Sequence, residues 1–361
     1  MTLKGTPGEA PQGTPGSQLG QHYDAKGSLL ARLERAFVEA GCDPDHLSHD
    51  EMAGIDQLHL GGRAASRRLM ALAGWDAGQS TETEQISDKR EGSPLDAFAG
   101  AGTGSSGAAR LLDLGCGTGG ASRLLARELG YEVVGVDITP GFIEVATWLS
   151  RACGLEDTTR FVCADAAELP LGDASVEAVW CQHALLNMPD LAAVLSECRR
   201  VLAPGGRLLL HEVVRGDNPA PLSLPVPWAR TPEHSRLLSL KDLEQHLLAA
   251  GFQRQALEDV SAEALAWRSH HRRREQGGAD RRAHGGSNTD QAQPPRQEGG
   301  ESSPQASGPA ARPPIRPRLP GPALIFGEVF VEMGRNLLDN LSDDRVRVVQ
   351  GVWQHHPLPR T

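Results

Sequence analysis

Leu111-Leu112-Asp113-Leu114-Gly115-Cys116-Gly117-Thr118-Gly119-Gly120 is an apolar strand that runs straight into a glycine loop and then into a helical pattern. Glycines are needed there because the backbone must turn sharply through positive φ and let a ligand approach where a Cβ would collide. The second half of the signal is Asp137, which ends the following strand. A carboxylate at that place accepts hydrogen bonds from the two hydroxyls of an adenosine ribose. Strand, loop, helix and acid together predict an adenosine-containing cofactor at the carboxyl ends of the strands, at the topological switch point.

Outward from this stretch the chain alternates between two periodicities. Residues 110–114, 131–136, 160–164, 176–182 and 207–214 read as strands, and 121–129, 141–153, 191–202 and 240–250 as helices. Leu191, Val194, Leu195, Cys198, Val201 and Leu202 form a one-faced stripe, and Ser239 with Asp242 has capping-box spacing. Strands separated by helices imply right-handed crossovers and a sheet covered on both faces. After Gly251 the pattern changes, and 252–258 and 345–353 read as edge strands, at least one of them antiparallel. The expected fold class is therefore α/β: a doubly wound, mostly parallel seven-stranded Rossmann-like sheet with an antiparallel edge strand, under an N-terminal helical cap.

Composition bounds the rest. Only 39% of the 361 residues are apolar and 4% aromatic, while glycine (41) and proline (25) are abundant, so much of the chain lies outside any core. The expected division is a disordered tail at 1–21, a helical cap at 22–75, a disordered insertion at 76–109 and a core at 110–269. A second disordered insertion at 270–318, a helix and edge strand at 319–353 and a tail at 354–361 complete it. A net charge of −10 supplies no long-range pull toward nucleic acid or an anionic membrane. Six cysteines without a C-x-x-C pair, and no long apolar run, read as a reduced, cytoplasmic, non-membrane protein, monomeric or homodimeric. His355 and His356 have no third ligand nearby in sequence, so no metal is expected.

Gly115, Gly117 and Gly120 also satisfy the dinucleotide fingerprint of nicotinamide dehydrogenases. Asp113 argues against that alternative, since a pyrophosphate would meet a like charge there whereas an amino-acid ammonium would be welcome. A second acid, Asp165 in Cys163-Ala164-Asp165-Ala166, is placed to receive an adenine amino group, and no second mononucleotide fold follows.

These motifs resemble the class I S-adenosylmethionine-dependent methyltransferases over residues 110–253. Ile55 to Arg63, Gln182-His183, Asn187-Met188-Pro189-Asp190, Pro225 to Trp228 and Arg345 to Gln350 extend the resemblance to a small-molecule branch similar to sarcosine/dimethylglycine methyltransferases. The resemblance implies S-adenosylmethionine as cofactor. Asp113, Gly115, Cys116 and Gly117 would hold its methionine end, Asp137 the ribose, and Ile138 the adenine face. Asp165 and Ala166 would read the adenine edge, with Gln182 as the floor. It further implies a methyl acceptor that is a small molecule, with nitrogen or oxygen as the methylated atom.

For a hydroxyl acceptor a general base helps, and a histidine or carboxylate suits the task. His183, His211 and Glu212 stand at the carboxyl ends of the fourth and fifth strands; the resemblance favours His183 and Glu212 as the catalytic pair. Gln57 and His59, with the flexible Gly61-Gly62 turn, would close over the cofactor, and Trp228 would offer an aromatic face to the acceptor. A catalytically weak cofactor-binding module acting through its insertions is the other class of function that these residues allow.

Overall fold

The computed structural model describes residues 28–75, 109–283 and 319–355. Seven strands form one sheet: β1 (Arg110–Leu114), β2 (Glu132–Asp137), β3 (Thr159–Cys163), β4 (Val176–Gln182), β5 (Leu202–Arg215), β6 (Phe252–Asp259) and β7 (Val346–His355). Their order is β3-β2-β1-β4-β5-β7-β6. The first five pair in parallel, and β7 runs antiparallel to both β5 and β6. The strand order reverses between β1 and β4, so the crevice of this sheet opens where Leu114 and Gln182 end.

The helices are α1 (Leu29–Glu39), α2 (His49–Asp56), α3 (Gly62–Leu72), α4 (Gly120–Leu129), α5 (Pro140–Ala152), α6 (Leu191–Val201) and α7 (Leu240–Ala249). After them come α8 (Ser261–Ala283), α9 (Ala323–Phe326) and α10 (Phe330–Ser342). Their ends follow local chemistry. Ser239 accepts the Asp242 amide at 3.1 Å, as its spacing predicts, and Asp190 accepts that of Ala193 at 3.0 Å to start α6. The α6 stripe buries Val194, Leu195, Cys198 and Val201.

Two boundaries differ from the sequence reading. The insertion expected from 270 begins later, because α8 continues to Ala283. Its Ala, Glu, Gln and Arg residues are strong helix formers, and a composition too polar to build a core is still compatible with a helix. The tail expected from 354 also starts later, since β7 includes Gln354 and His355, which pair with Arg207 and Phe252. Of the expected insertion at 76–109 all but Ala109, of the second all from 284 to 318, of the expected cap 22–27, the tail at 1–21, and of the tail at 354–361 all from 356 lie outside the described residues.

Leu69, Met70, Leu124 and Leu125, from α3 and α4, cover one face of the sheet against Leu111, Val133, Ala178, Trp180 and Leu209. Leu195, Cys198, Leu243 and Leu247, from α6 and α7, cover the other against Leu112, Val134, Val179 and Leu210. The cap has its own apolar cluster, in which Leu33, Phe37, Met52 and Ile55 pack on Val145, Trp148 and Leu149 of α5.

A buried ion pair ties the cap to α4. Arg123 of α4 has no exposed surface, and its guanidinium pairs with the buried carboxylate of Asp56 at the end of α2. It also donates to the Thr118 carbonyl at 2.8 Å and the Ala146 carbonyl at 3.2 Å. Removing one partner of a fully buried pair strands the other charge, whereas the Arg67–Glu128 pair, with Arg67 half exposed, is screened by water. Asp56→Ala should therefore lower unfolding stability by about 3–5 kcal/mol, and Arg67→Ala by under about 1 kcal/mol. Equal denaturation midpoints for the two variants would contradict this account.

Candidate active site

The glycine loop leaves β1 with the Gly115 and Cys116 amides donating to the Val136 carbonyl at 2.8 and 3.0 Å. Gly115, Gly117 and Gly119 have φ of +72°, +52° and +78°, a region that side chains resist. Around Gly117 nothing lies within 4 Å of where a Cβ would stand, whereas a Cβ on Gly119 would meet Phe161 at 2.7 Å. Gly117 thus faces the open crevice and Gly119 faces packing. Asp137 grips the loop, its two oxygens accepting from the Gly117 amide at 3.0 Å and the Thr139 amide at 2.9 Å. Each oxygen keeps a lone pair for a further donor.

Around this acid lie the other predicted cofactor residues. Ile138 is 52% exposed, an uncovered apolar surface beside the acid. The Ala164 amide donates to the Asp137 carbonyl at 3.1 Å, which brings Asp165 and Ala166 to the same crevice. Asp165 is exposed and accepts the Ala167 amide at 2.9 Å, so it closes a turn rather than capping a helix. Cys116 is buried, and burial raises its thiol pKa well above the usual range, as small packed sulfur does. Asp113 lies beneath the loop, 2% exposed, where it accepts the Ser122 hydroxyl at 2.5 Å. Burial pushes its carboxyl up to about 6. It braces the loop from below, a different position from the direct contact expected for it.

The residues expected around the acceptor converge across the crevice. His59, His183 and His211 form a cluster with ring centroids 4.8 Å (His183 to His211), 5.5 Å (His59 to His211) and 6.0 Å (His59 to His183) apart. Burial holds His59 down to about 4, His183 to about 3, and His211 well below the ordinary value. All three are neutral imidazoles near pH 7. The Nε2 atoms of His183 and His211 are buried and bond to no group among the described residues. Gln57 brings its amide oxygen 2.7 Å from His59 Nε2 and 3.2 Å from the Ser66 hydroxyl. Gln182 accepts from Trp180 Nε1 at 2.9 Å and Ser66 at 3.1 Å, so its amide joins the sheet to the cap. Trp228, half-buried, donates to Ser235 at 3.3 Å and packs in the apolar cluster of Leu186, Leu237 and Trp267. Among the described residues no group of three or more His, Cys, Asp or Glu side chains is arranged to hold a metal.

Glu212 corrects the expected catalytic pair. Successive strand residues point to opposite faces; His211, in register with Gln182, faces the histidine cluster, and Glu212 faces the core behind it. The carboxylate is 2% exposed and accepts the amides of Ala184 at 2.9 Å and Leu185 at 3.1 Å. Glu212 therefore anchors the loop that carries His183, whose own amide donates to the His211 carbonyl at 2.8 Å. That anchorage holds His183 at φ +53°, a conformation few non-glycine residues adopt. Ser66, Gln350, Asp56 and Arg123 were not identified from sequence. Ser66 and Gln350 join the cluster only through long-range packing, but strand alternation from Gln182 across to its neighbour would have chosen His211 over Glu212.

Comparison with known proteins agrees with this geometry. Residues 112–210 match the family described as "Methyltransferase domain". The methyltransferase GfsG of Streptomyces halstedii is 32% identical over 197 residues, 55% of this chain and 58% of that protein. The 27-O-demethylrifamycin SV methyltransferase of Amycolatopsis mediterranei is 36% identical over 154 residues, 42% of this chain and 57% of that protein. The matched region thus spans less than two thirds of either relative. Among solved structures, the cyclase SpnF superposes with a TM-score of 0.53 at 21% identity, covering 94% of this chain and 97% of its own. A sarcosine dimethylglycine methyltransferase of Galdieria sulphuraria, described as such provisionally, superposes at 0.51 and 16%, covering 82% and 85%. At those identities the likeness is one of fold.

Glu212 makes a testable demand on stability. Burial raises its carboxyl to about 7 from an ordinary 4.5, so the folded chain keeps a proton that the unfolded chain releases. The contribution is whole below the unfolded value and is lost as pH rises through the folded one. Glu212→Gln, which keeps the accepting oxygen and cannot ionise, should match the parent near about pH 4.5 and exceed it by roughly 2–3 kcal/mol near about pH 8. Urea midpoints at both pH values read this out; a gap that does not grow with pH overturns it.

Proposed function

We propose that the central block of this chain, which matches a methyltransferase domain over residues 112–210, is of the class I, S-adenosylmethionine-dependent kind and that the protein methylates a hydroxyl oxygen of a small-molecule acceptor. The observation that carries the choice of oxygen is the pair of neutral imidazoles, His183 just after β4 and His211 within β5, whose buried Nε2 atoms lack partners among the described residues. The name of the rifamycin relative, an O-methylating enzyme by its substrate, points the same way.

The residues of the crevice fit the cofactor. Gly117 leaves open space, Asp137 retains lone pairs for two ribose hydroxyls, and Ile138 offers the apolar face that an adenine would cover. Asp165 and Ala166 would border the adenine edge, and Gly115 and Cys116 would flank the amino-acid end. Asp113, ionised at neutral pH, would attract an ammonium through the loop above it. S-adenosylmethionine supplies an electrophilic methyl carbon on a sulfonium sulfur.

The chain's own task is then to bind, orient and keep water out. His183 Nε2 would receive the proton that the acceptor hydroxyl releases. An imidazole held down to about 3 is a weak base, but a hydroxyl becomes strongly acidic as its oxygen gains a methyl, so a weak base suffices at that stage. Trp228 and Trp267, with Leu186 and Leu237, would wall the acceptor with apolar surface. His59 and Gln57, on the link between α2 and α3, would close the side nearest the cap.

Two measurements test this reading. Calorimetric titration with S-adenosylmethionine and S-adenosylhomocysteine should show binding, with NAD as a control that does not bind. Asp137→Ala should weaken that binding by roughly a hundredfold, through two lost hydrogen bonds to a charged acceptor; unchanged affinity would remove Asp137 from the site. Acceptor turnover, sought over phenols, sugars and hydroxylated polyketides, should stay flat as pH falls to about 5, because the working form of His183 is neutral and its pKa is lowered. An inflection at the ordinary histidine value of 6.5 would count against His183.

A further inference from the structure

His211 is fixed in one tautomer by its neighbours. Trp180 Nε1 can only donate, so the Gln182 atom it meets at 2.9 Å is the oxygen, and the Gln182 nitrogen must face His211 Nδ1, at 3.4 Å. The Ala65 carbonyl can only accept, so the Gln350 atom it meets at 2.7 Å is the nitrogen, which also lies 3.3 Å from His211 Nδ1. Two amide N–H donors thus converge on Nδ1, which leaves it bare. The ring hydrogen of neutral His211 sits on Nε2, a buried atom without a partner among the described residues; the His183 ring, its centroid 4.8 Å away, has an Nε2 in the same condition. Gln350 is wholly buried, so its amide does not rotate into water, and the Gln182 amide is held by the Trp180 and Ser66 donors on its oxygen.

We infer that His211 is a specificity-determining residue: a fixed N–H donor to the acceptor atom that favours a hydroxyl oxygen over an amine nitrogen. The inference rests on the proposed methyl transfer to a small acceptor and adds the element that chooses between acceptor atoms. A hydroxyl oxygen has two lone pairs. One accepts the Nε2–H of His211, the hydroxyl proton points to His183, and the second lone pair stays free to attack. A neutral amine has a single lone pair, and the same donor engages it, leaving none for attack. His211 acts by position, without gaining or losing a proton.

The first test needs no acceptor. In the uniformly nitrogen-15-labelled full chain, two-bond correlation spectra distinguish the two neutral imidazole tautomers, and the resonance absent from His211→Phe identifies this ring. The expected result is the Nε2–H tautomer in the parent chain and the Nδ1–H tautomer in Gln350→Glu, where a carboxylate replaces one of the two donors. An Nδ1–H tautomer of this ring in the parent overturns the inference, whether or not Gln350→Glu folds. The second test supplies S-adenosylmethionine with hydroquinone, 4-aminophenol and 1,4-phenylenediamine as probes. The parent should methylate oxygen in preference to nitrogen, and His211→Phe should shrink that ratio by about tenfold, the worth of one neutral hydrogen bond. A ratio unmoved in His211→Phe, with S-adenosylmethionine binding intact, overturns the role of His211. Turnover of no hydroxyl probe despite bound S-adenosylmethionine instead overturns the proposed hydroxyl methylation, and the tautomer spectra decide separately whether His211 is the donor described.

Discussion

A guanidinium without access to water stands where every layer of this molecule meets. Arg123 rises from the first turns of α4, directly after the glycine loop, and its charge is answered by Asp56 at the end of α2. Through Thr118, whose carbonyl it takes and whose hydroxyl donates to the Ile55 carbonyl at 2.8 Å, the same residue ties the loop to the cap. The backbone at Asp56 lies so close to Gly120 that no side chain fits there. Cofactor loop and cap are consequently one construction: α2 cannot lift without leaving a charge stranded in the interior. Because Gln57 and His59 follow Asp56 directly, the acceptor side of the crevice inherits its position from the cofactor side.

The crevice also stores tension. His183 sits in the left-handed region, which costs a non-glycine residue on the order of 1 kcal/mol or more, and it persists only because its surroundings over-determine it. Glu212 provides that constraint by collecting the two following amides in a buried carboxylate, itself costly to bury. Two unfavourable choices, a strained backbone and a desolvated acid, are thus spent on aiming one imidazole. A fold selected for stability alone would have placed an apolar residue at 212 and a glycine at 183, and the pattern is what a functional site looks like when local rules are broken in concert.

Much of this was legible in the linear sequence, and the reason is periodicity. The strands β1 to β5, the helices between them and the loop from Gly115 to Gly119 announce themselves because a sheet buried on both faces demands continuous apolar runs, and a turn through positive φ demands glycine. Asp137 follows from the same local grammar, and Ile138 only from the resemblance that these motifs carry. What failed to show was everything decided by which face a residue occupies across strands. His211 and Glu212 are adjacent in sequence and equivalent in chemical plausibility; only the register of Gln182 with His211 separates the one at the cluster from the one in the core. Ser66 and Gln350 are still less visible, since each reaches the cluster from a distant element: Ser66 belongs to no motif, and the Arg345 to Gln350 stretch carries a resemblance without marking Gln350 for the site. The insertion expected from 270 overlaps α8 for a simpler reason: low hydropathy excludes a core but does not exclude a helix.

Fold similarity leaves the activity open, for a cyclase superposes on this chain as well as the methyltransferases do. The discrimination has to come from the side chains at the end of β4 and β5. A crevice built only to enclose an apolar substrate would gain nothing from imidazoles, whose burial without partners costs free energy. Here burial keeps three of them uncharged, so the cost is the smaller one of unpaired neutral nitrogens, and two of those nitrogens belong to rings whose centroids are 4.8 Å apart. Amide donors from Gln182 and Gln350 give one of the two its hydrogen, while nothing bonded to the ring of the other forbids it from accepting. A donor and an acceptor at such close quarters are complementary to a group that is itself both, and the hydroxyl is the simplest group that meets that description.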